Sequence, residues 1–271
     1  MGSPSFLRDQ LTQTGLNQIS AMGVATQVKT TKHSSGNQLH ACLIDFWCRS
    51  VEPDDNVQSA EVEGSPVTLK GFLGFEPFGE HAVNASWVAV QELEKLGLGH
   101  DINLHVAEVP VEYQAVQSLL PSLWKQQLPQ LVVHVGVSGM ATTVTLEQCG
   151  HNQGYMRLDN CSFCPESRCC MEGGPNCIQS VIDMDAVCKR VNSSGLGVSV
   201  SVSKDAGRYL CDYTYYMSLF LGEGRSAFVH VPPLGKPYSA EQLAQALRAV
   251  ILEMLELMEH NKGKKLCLHD Q

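Results

Sequence analysis

A thiol becomes a nucleophile when its surroundings lower the cost of its anion, and Cys211 stands where a chain can arrange that. A β-rich run ends near Ser203, Asp205-Ala206-Gly207 makes a turn, and Cys211 follows within the first turn or so of a helix expected over residues 209–220. There it meets the positive end of the helix dipole and backbone amides without helical partners, which favour the thiolate and offer an oxyanion site. Taken alone, a cysteine near a helix start reads more plainly as a small buried hydrophobe. His230 weighs against that plainer reading. It lies near the end of an apolar strand, just before Pro232-Pro233, and so near the carboxyl edge of a sheet, where open α/β proteins place their sites. His134, inside the apolar run 131–135, is read instead as a satisfied core histidine. A cysteine–histidine pair commonly has a third group that orients the imidazole and stabilises its cation. Glu147 is the candidate, because it ends the segment 141–146, whose Thr, Val and Leu residues leave it as the only ionisable group there.

Two other constellations compete. Six of the 11 cysteines fall between Cys149 and Cys177, with His151 nearby, which raises a structural zinc site. Only one C-x-x-C pair is present, Cys161 with Cys164, and Cys169-Cys170 are adjacent, a spacing that suits one tetrahedral ion poorly. Free thiols in a cysteine-rich loop are the plainer reading. Gly136-Val137-Ser138-Gly139 has the outline of a serine nucleophile elbow but lacks the second spacer of G-x-S-x-G, which argues against a serine hydrolase.

The elements that must position these residues alternate apolar runs with amphipathic segments, the rhythm of an α/β domain. Residues 67–75 form the first expected strand. Ser86 is read as the cap of a helix carrying Trp87, Val90, Leu93 and Leu96 and closed by Gly97. Residues 102–109 read as a strand, 112–128 as a helix that Pro121 should kink or restart, and 131–135 as a central strand buried on both faces. Further strands are expected at 198–202 and 227–231. The last helix has a capping-box pair, Ser239 and Gln242, an apolar stripe of Leu243, Leu247, Val250, Met254 and Met258, and Gly263 as its stop. Residues 1–66 are polar and weakly periodic. Their acidic stretch 51–66 has linker composition, which divides the chain into an extension (1–66), a domain (67–262) and a tail (263–271).

Composition limits the function classes. The 271 residues carry 19 Lys and Arg against 28 Asp and Glu, a net charge of −9, with 44% hydrophobic residues. That suffices for a sizeable core. No apolar run approaches the roughly 18 to 20 residues of a membrane span, and the acidic balance gives no footprint for nucleic acid. The N-terminus lacks the basic and apolar regions of a secretory signal, so the odd number of cysteines reads as thiols in a reducing compartment, and a cytoplasmic location is expected.

Five separated motifs, Gly74-Phe75-Glu76-Pro77-Phe78-Gly79, Val83-Asn84-Ala85-Ser86-Trp87, Thr145-Leu146-Glu147, Asp205-Ala206-Gly207 leading to Cys211, and Phe228-Val229-His230-Val231-Pro232, together resemble the cytosolic cysteine-type pyroglutamyl peptidase I family in its vertebrate form. The resemblance runs from about Gly74 to about Leu257. It implies a three-layer α/β/α sandwich around a mostly parallel twisted sheet, and an omega-peptidase that removes an N-terminal pyroglutamyl residue from peptides. It further implies a triad on Cys211, His230 and Glu147, no metal and no cofactor. Phe75 and Phe78 would then wall the lactam, Asn84 would contact the ring, and Tyr209 and Leu210 would add apolar surface beside the nucleophile.

This chain also departs from the family. Lys70 and Gly71 are poor residues for a buried first strand, the first 66 residues have no counterpart in the family, and Val137, as in vertebrate relatives, stands where bacterial relatives carry a glutamine. The disturbed strand leaves a second reading open, a catalytically silent paralogue that binds pyroglutamyl ends or other proteins. A nucleoside phosphorylase shares the architecture, but no phosphate-cradling glycine loop supports it. Oligomeric state is not legible in the sequence.

Overall fold

The computed structural model describes residues 67–77 and 83–269; the expected extension 1–66 lies outside them. In chain order the elements are β1 (Val67–Phe75), α1 (Ala85–Leu96), β2 (Ile102–Val109), α2 (Tyr113–Gln127), β3 (Val132–Val137), β4 (Val144–Glu147), β5 (Cys149–His151), β6 (Cys177–Gln179), α3 (Met184–Ser193), β7 (Val200–Ser203), α4 (Leu210–Leu221), β8 (Ser226–Val231) and α5 (Ala240–His269).

Six strands form one sheet in the order β2-β1-β3-β8-β4-β7. Neighbours from β2 to β8 are parallel, β4 runs antiparallel to β8, and β7 is parallel to β4. Alternation along the strands sends side chains to two faces. Val133, Val135, Ala227 and Val229 pack with α1, α3 and α5 on one side. On the other side Val132 and Phe228 pack with α2 and α4, including Leu120, Tyr213 and Tyr216. The result is an α/β/α sandwich. No helix among the described residues is long and apolar enough to cross a membrane.

The first strand absorbs its poor residues. Its register against β2 slips between Lys70 and Phe72, so Gly71 is the extra residue of a bulge, the position a glycine in a strand favours. Pairing with β2 resumes through Phe75. Beyond it, Gly74 lets β1 approach α1, since a Cβ there would lie 2.8 Å from the Trp87 ring.

Several local expectations need correction. Asn84, not Ser86, caps α1; its side chain accepts from the Ser86 amide at 3.0 Å, and Ser86 itself is fully buried. The helix thus starts two residues earlier than the serine suggested, and Leu96 is half-exposed at its end. α2 runs through Pro121 as one element. α5 opens on the expected reciprocal cap, with the Ser239 amide donating to Gln242 Oε1 at 2.9 Å and the Gln242 amide to Ser239 Oγ at 3.3 Å. It does not stop at Gly263 but continues to His269. A glycine costs a helix interior about 1 kcal/mol without removing a donor or clashing with the turn before it, so it stops a helix only where the chain takes the left-handed turn. His134 is fully buried, yet neither ring nitrogen has a hydrogen-bond partner. Its ring stacks on Phe228 at 6.1 Å, and burial lowers its pKa to about 3, so it is a neutral core residue but not a satisfied one.

Candidate active site

The carboxyl ends of β3 and β8, the end of β4 and the start of α4 meet around one cavity of about 610 Å³, lined among others by Phe75, Asn84, Glu147, Tyr209, Cys211 and His230. The strand-to-helix connection makes the turn that the sequence suggested. Gly207 takes φ +83°, and its amide donates to Asp205 Oδ1 at 3.1 Å, an Asx turn that side chains bearing a Cβ rarely fit. Arg208 braces it, with Nη1 2.5 Å from Asp205 and 3.5 Å from Asp212. Tyr209 is the cap residue of α4, so Cys211 is the second residue of the helix, within the stretch whose amides have no helical acceptor.

β3 makes room for the sulfur. Gly136 faces the site between β8 and the start of α4, and a Cβ on it would lie 2.7 Å from the Phe228 ring and 3.1 Å from Cys211 Sγ. His230 pairs with Gly136 on one side and Thr145 on the other. Because β4 runs against β8, its last residue falls opposite Phe228, two residues deeper than His230. Glu147 therefore reaches the imidazole from the sheet interior while Cys211 meets it from the cavity side.

The geometry follows from that placement. His230 Nδ1 lies 2.8 Å from Glu147 Oε1, and the two residues are 8% and 2% exposed. With the carboxylate accepting from Nδ1–H, Nε2 is left for the hydrogen bond to the Cys211 side chain. Burial acts to lower the His230 pKa, but the hydrogen bonds and charges of Cys211 and Glu147 outweigh it and raise the pKa from its ordinary 6.5 to about 10. The Glu147 main-chain carbonyl is held by Tyr215 Oη at 2.8 Å, and its Oε2 is buried without a partner. A protonated imidazole oriented by a carboxylate thus stands beside the Cys211 sulfur at a helix N-terminus, an arrangement that can serve as a cysteine nucleophile and its acid–base partner.

The remaining expected site residues fall as follows. Phe75 is buried, lines the cavity, and has its ring 6.3 Å from that of Phe228. Leu210 is buried at the cavity wall, and Tyr209 is partly exposed beside it. Asn84 also lines the cavity, but its carboxamide braces the loop: Nδ2 donates to the Glu76 carbonyl at 2.9 Å, and Oδ1 accepts from the Ser86 amide and hydroxyl. Phe78 lies outside the described residues. Sequence reasoning missed Arg157 and Met140. Arg157 lines the cavity with its guanidinium 4.3 Å from the Tyr209 ring centroid, and Met140 is 93% exposed at the cavity edge. Both sit in irregular segments where no periodicity marks a residue's direction. Gly136 was noted only as part of a serine motif, though its place before Val137 at the end of a buried strand was the available signal.

Residues 71–252 match the Pyroglutamyl peptidase family. Pyroglutamyl-peptidase 1 of Rattus norvegicus is 71% identical over 196 residues, covering 72% of this chain and 94% of the relative. The human Pyroglutamyl-peptidase 1 is 72% identical over 191 residues, covering 70% and 91%. Among solved structures, the pyrrolidone carboxyl peptidase from Thermococcus litoralis superposes with a TM-score of 0.64 at 19% identity, covering 72% of this chain and 96% of that one, a likeness of fold. The matched stretch contains every residue of the Glu147, His230 and Cys211 constellation, and the chain belongs to the pyroglutamyl peptidase family.

Proposed function

We propose that the chain is a cysteine omega-peptidase that hydrolyses the amide bond after an N-terminal pyroglutamyl residue, with Cys211 as nucleophile, His230 as acid and base, and Glu147 as the group that orients His230. The observation that carries this reading is the convergence of the three side chains in one cavity, with the 2.8 Å contact between His230 and Glu147. The Cys211 thiolate attacks the pyroglutamyl carbonyl carbon, and the amides of the first turn of α4 are placed to receive the developing oxyanion. His230 gives its proton to the departing amine as the C–N bond breaks, leaving a thioester. Water then attacks the thioester, His230 takes its proton, and the thiolate leaves as the acid forms.

Substrate choice follows from the walls. A pyroglutamyl end is a neutral lactam without an ammonium group, so it needs apolar surface more than a counter-charge. Phe75, Val137 and Leu210 supply such surface. The carboxylates lining the cavity, Glu147 and Asp205, are engaged by His230 and Arg208, which leaves little to favour an ordinary amino terminus. No observation favours the catalytically silent reading, since the bulge at Gly71 preserves β1 and the triad parts are all present. The described cysteines are free thiols, which suits a cytoplasmic setting.

The test is hydrolysis of a fluorogenic pyroglutamyl amide by the full chain beside Cys211→Ala. Turnover that disappears in Cys211→Ala, with an alanyl amide left uncut by both, is the expected result. A folded full chain without turnover sinks the proposal.

A further inference from the structure

Outside the catalytic cavity, β5 and β6 form a separate two-stranded antiparallel sheet. Its register pairs His151 with Cys177 and Cys149 with Gln179. Side chains two apart on a strand share a face, and directly paired residues share it too. Cys149, His151 and Cys177 therefore project together, and their ligand atoms all lie within 4.8 Å of one another. We propose that these three residues form a binding site for one thiophilic divalent cation, with zinc the ion the donor set fits.

Two thiolates and an imidazole suit zinc and exclude the hard, oxygen-seeking ions. Around tetrahedral zinc the ligand atoms stand about 3.5 to 3.8 Å apart, so the cluster needs to close by about 1 Å. Cys177 is exposed and gives both the freedom to move and the route of entry, while Cys149 is buried. The backbone beneath is already fixed. Asn152 donates to the Asn176 carbonyl at 2.9 Å, Ser180 donates to the Gln148 carbonyl at 2.9 Å, and a Cβ at Gly150 would lie 2.9 Å from the Tyr216 main chain.

A second observation concerns the histidine. His151 Nδ1 is buried without a hydrogen-bond partner, and the fully buried carboxylate of Asp212 lies 3.5 Å from it. A carboxylate behind a ligating imidazole sets its tautomer and raises its basicity. The sequence marked the stretch from Cys149 to Cys177 with His151 but weighed it by the spacing of Cys161 with Cys164, and neither of those two belongs to this cluster.

The test uses the full chain carrying Cys211→Ala, which removes the catalytic thiol as a competing ligand. Equilibrium dialysis against Zn²⁺ should find a bound ion that disappears on adding Cys177→Ser, the stoichiometry falling by one or the affinity by at least about 100-fold. Adding His151→Gln should do the same, which keeps the test decisive if one variant fails to fold by circular dichroism. Adding Cys161→Ser with Cys164→Ser should change nothing. Co²⁺ in place of Zn²⁺ should give the intense visible bands of a tetrahedral site and a thiolate charge-transfer band lost with Cys177→Ser. Zinc binding that is absent, survives both Cys177→Ser and His151→Gln, or is lost with Cys161 and Cys164 overturns the proposal.

Discussion

Glu147 holds His230 through one oxygen and leaves the other buried without a partner, so a neutral amide in its place keeps the shape and removes the charge. Glu147→Gln is expected to lower kcat roughly 100- to 10,000-fold. The sign of its pH effect is fixed too. The His230 pKa is held near 10 by Cys211 and Glu147 against burial, so the imidazolium persists until the pH rises through that value. Removing one of its two supports should move the alkaline limb of kcat/KM to lower pH, and a limb that stays in place would show that Glu147 does not hold the proton. Gly136→Ala places a methyl group against Phe228 and Cys211 Sγ. About 1 to 3 kcal/mol of stability should be lost by denaturant unfolding, with kcat down at least about tenfold because a small misplacement of a reacting group is costly. The places of Cys211 at a helix start and His230 at a strand end were legible because a strand–turn–helix and a strand end are local patterns. The contact of Glu147 with His230 was expected only through the family resemblance, because the antiparallel sense of β4 is decided by pairing across the sheet.

Element ends show the same division. The Ser239–Gln242 cap is written in adjacent residues and forms as read, and Ser239→Ala should cost about 1 kcal/mol in urea unfolding. Leu128, by contrast, ends α2 in the left-handed region at φ 45° and is 77% exposed. A side chain with a Cβ is strained there, so Leu128→Gly should stabilise the chain by up to about 1 kcal/mol, read as a higher urea midpoint with an unchanged slope. The strands β4, β5 and β6 are three or four residues long, too short for alternation to identify them. α3 went unread despite the Asp183 cap and the buried Met184, Val187 and Val191, because ten residues of mixed polarity give a weak stripe.

At the scale of the whole molecule, the α/β class was legible in the order of apolar runs and the three layers in the family resemblance, while the burial of an unpartnered histidine was not. His134 is neutral when folded, with a pKa near 3, and accepts a proton near 6.5 once unfolded. A depressed pKa gives stability that is present above 6.5 and lost as pH falls toward 3, at about 1.4 kcal/mol per pH unit. His134→Leu should therefore shift the acid-unfolding midpoint to lower pH, and an unmoved midpoint would assign acid unfolding to other groups. The sheet has a further consequence for the chain's biosynthesis. Glu147 and His230 are separated by 83 residues, and β8 reaches its place only by inserting between β3 and β4. Until that strand has left the ribosome and docked, Cys211 has no imidazole beside it. The nascent polypeptide thus carries an incomplete site, and its peptidase chemistry switches on only with the closing of the sheet.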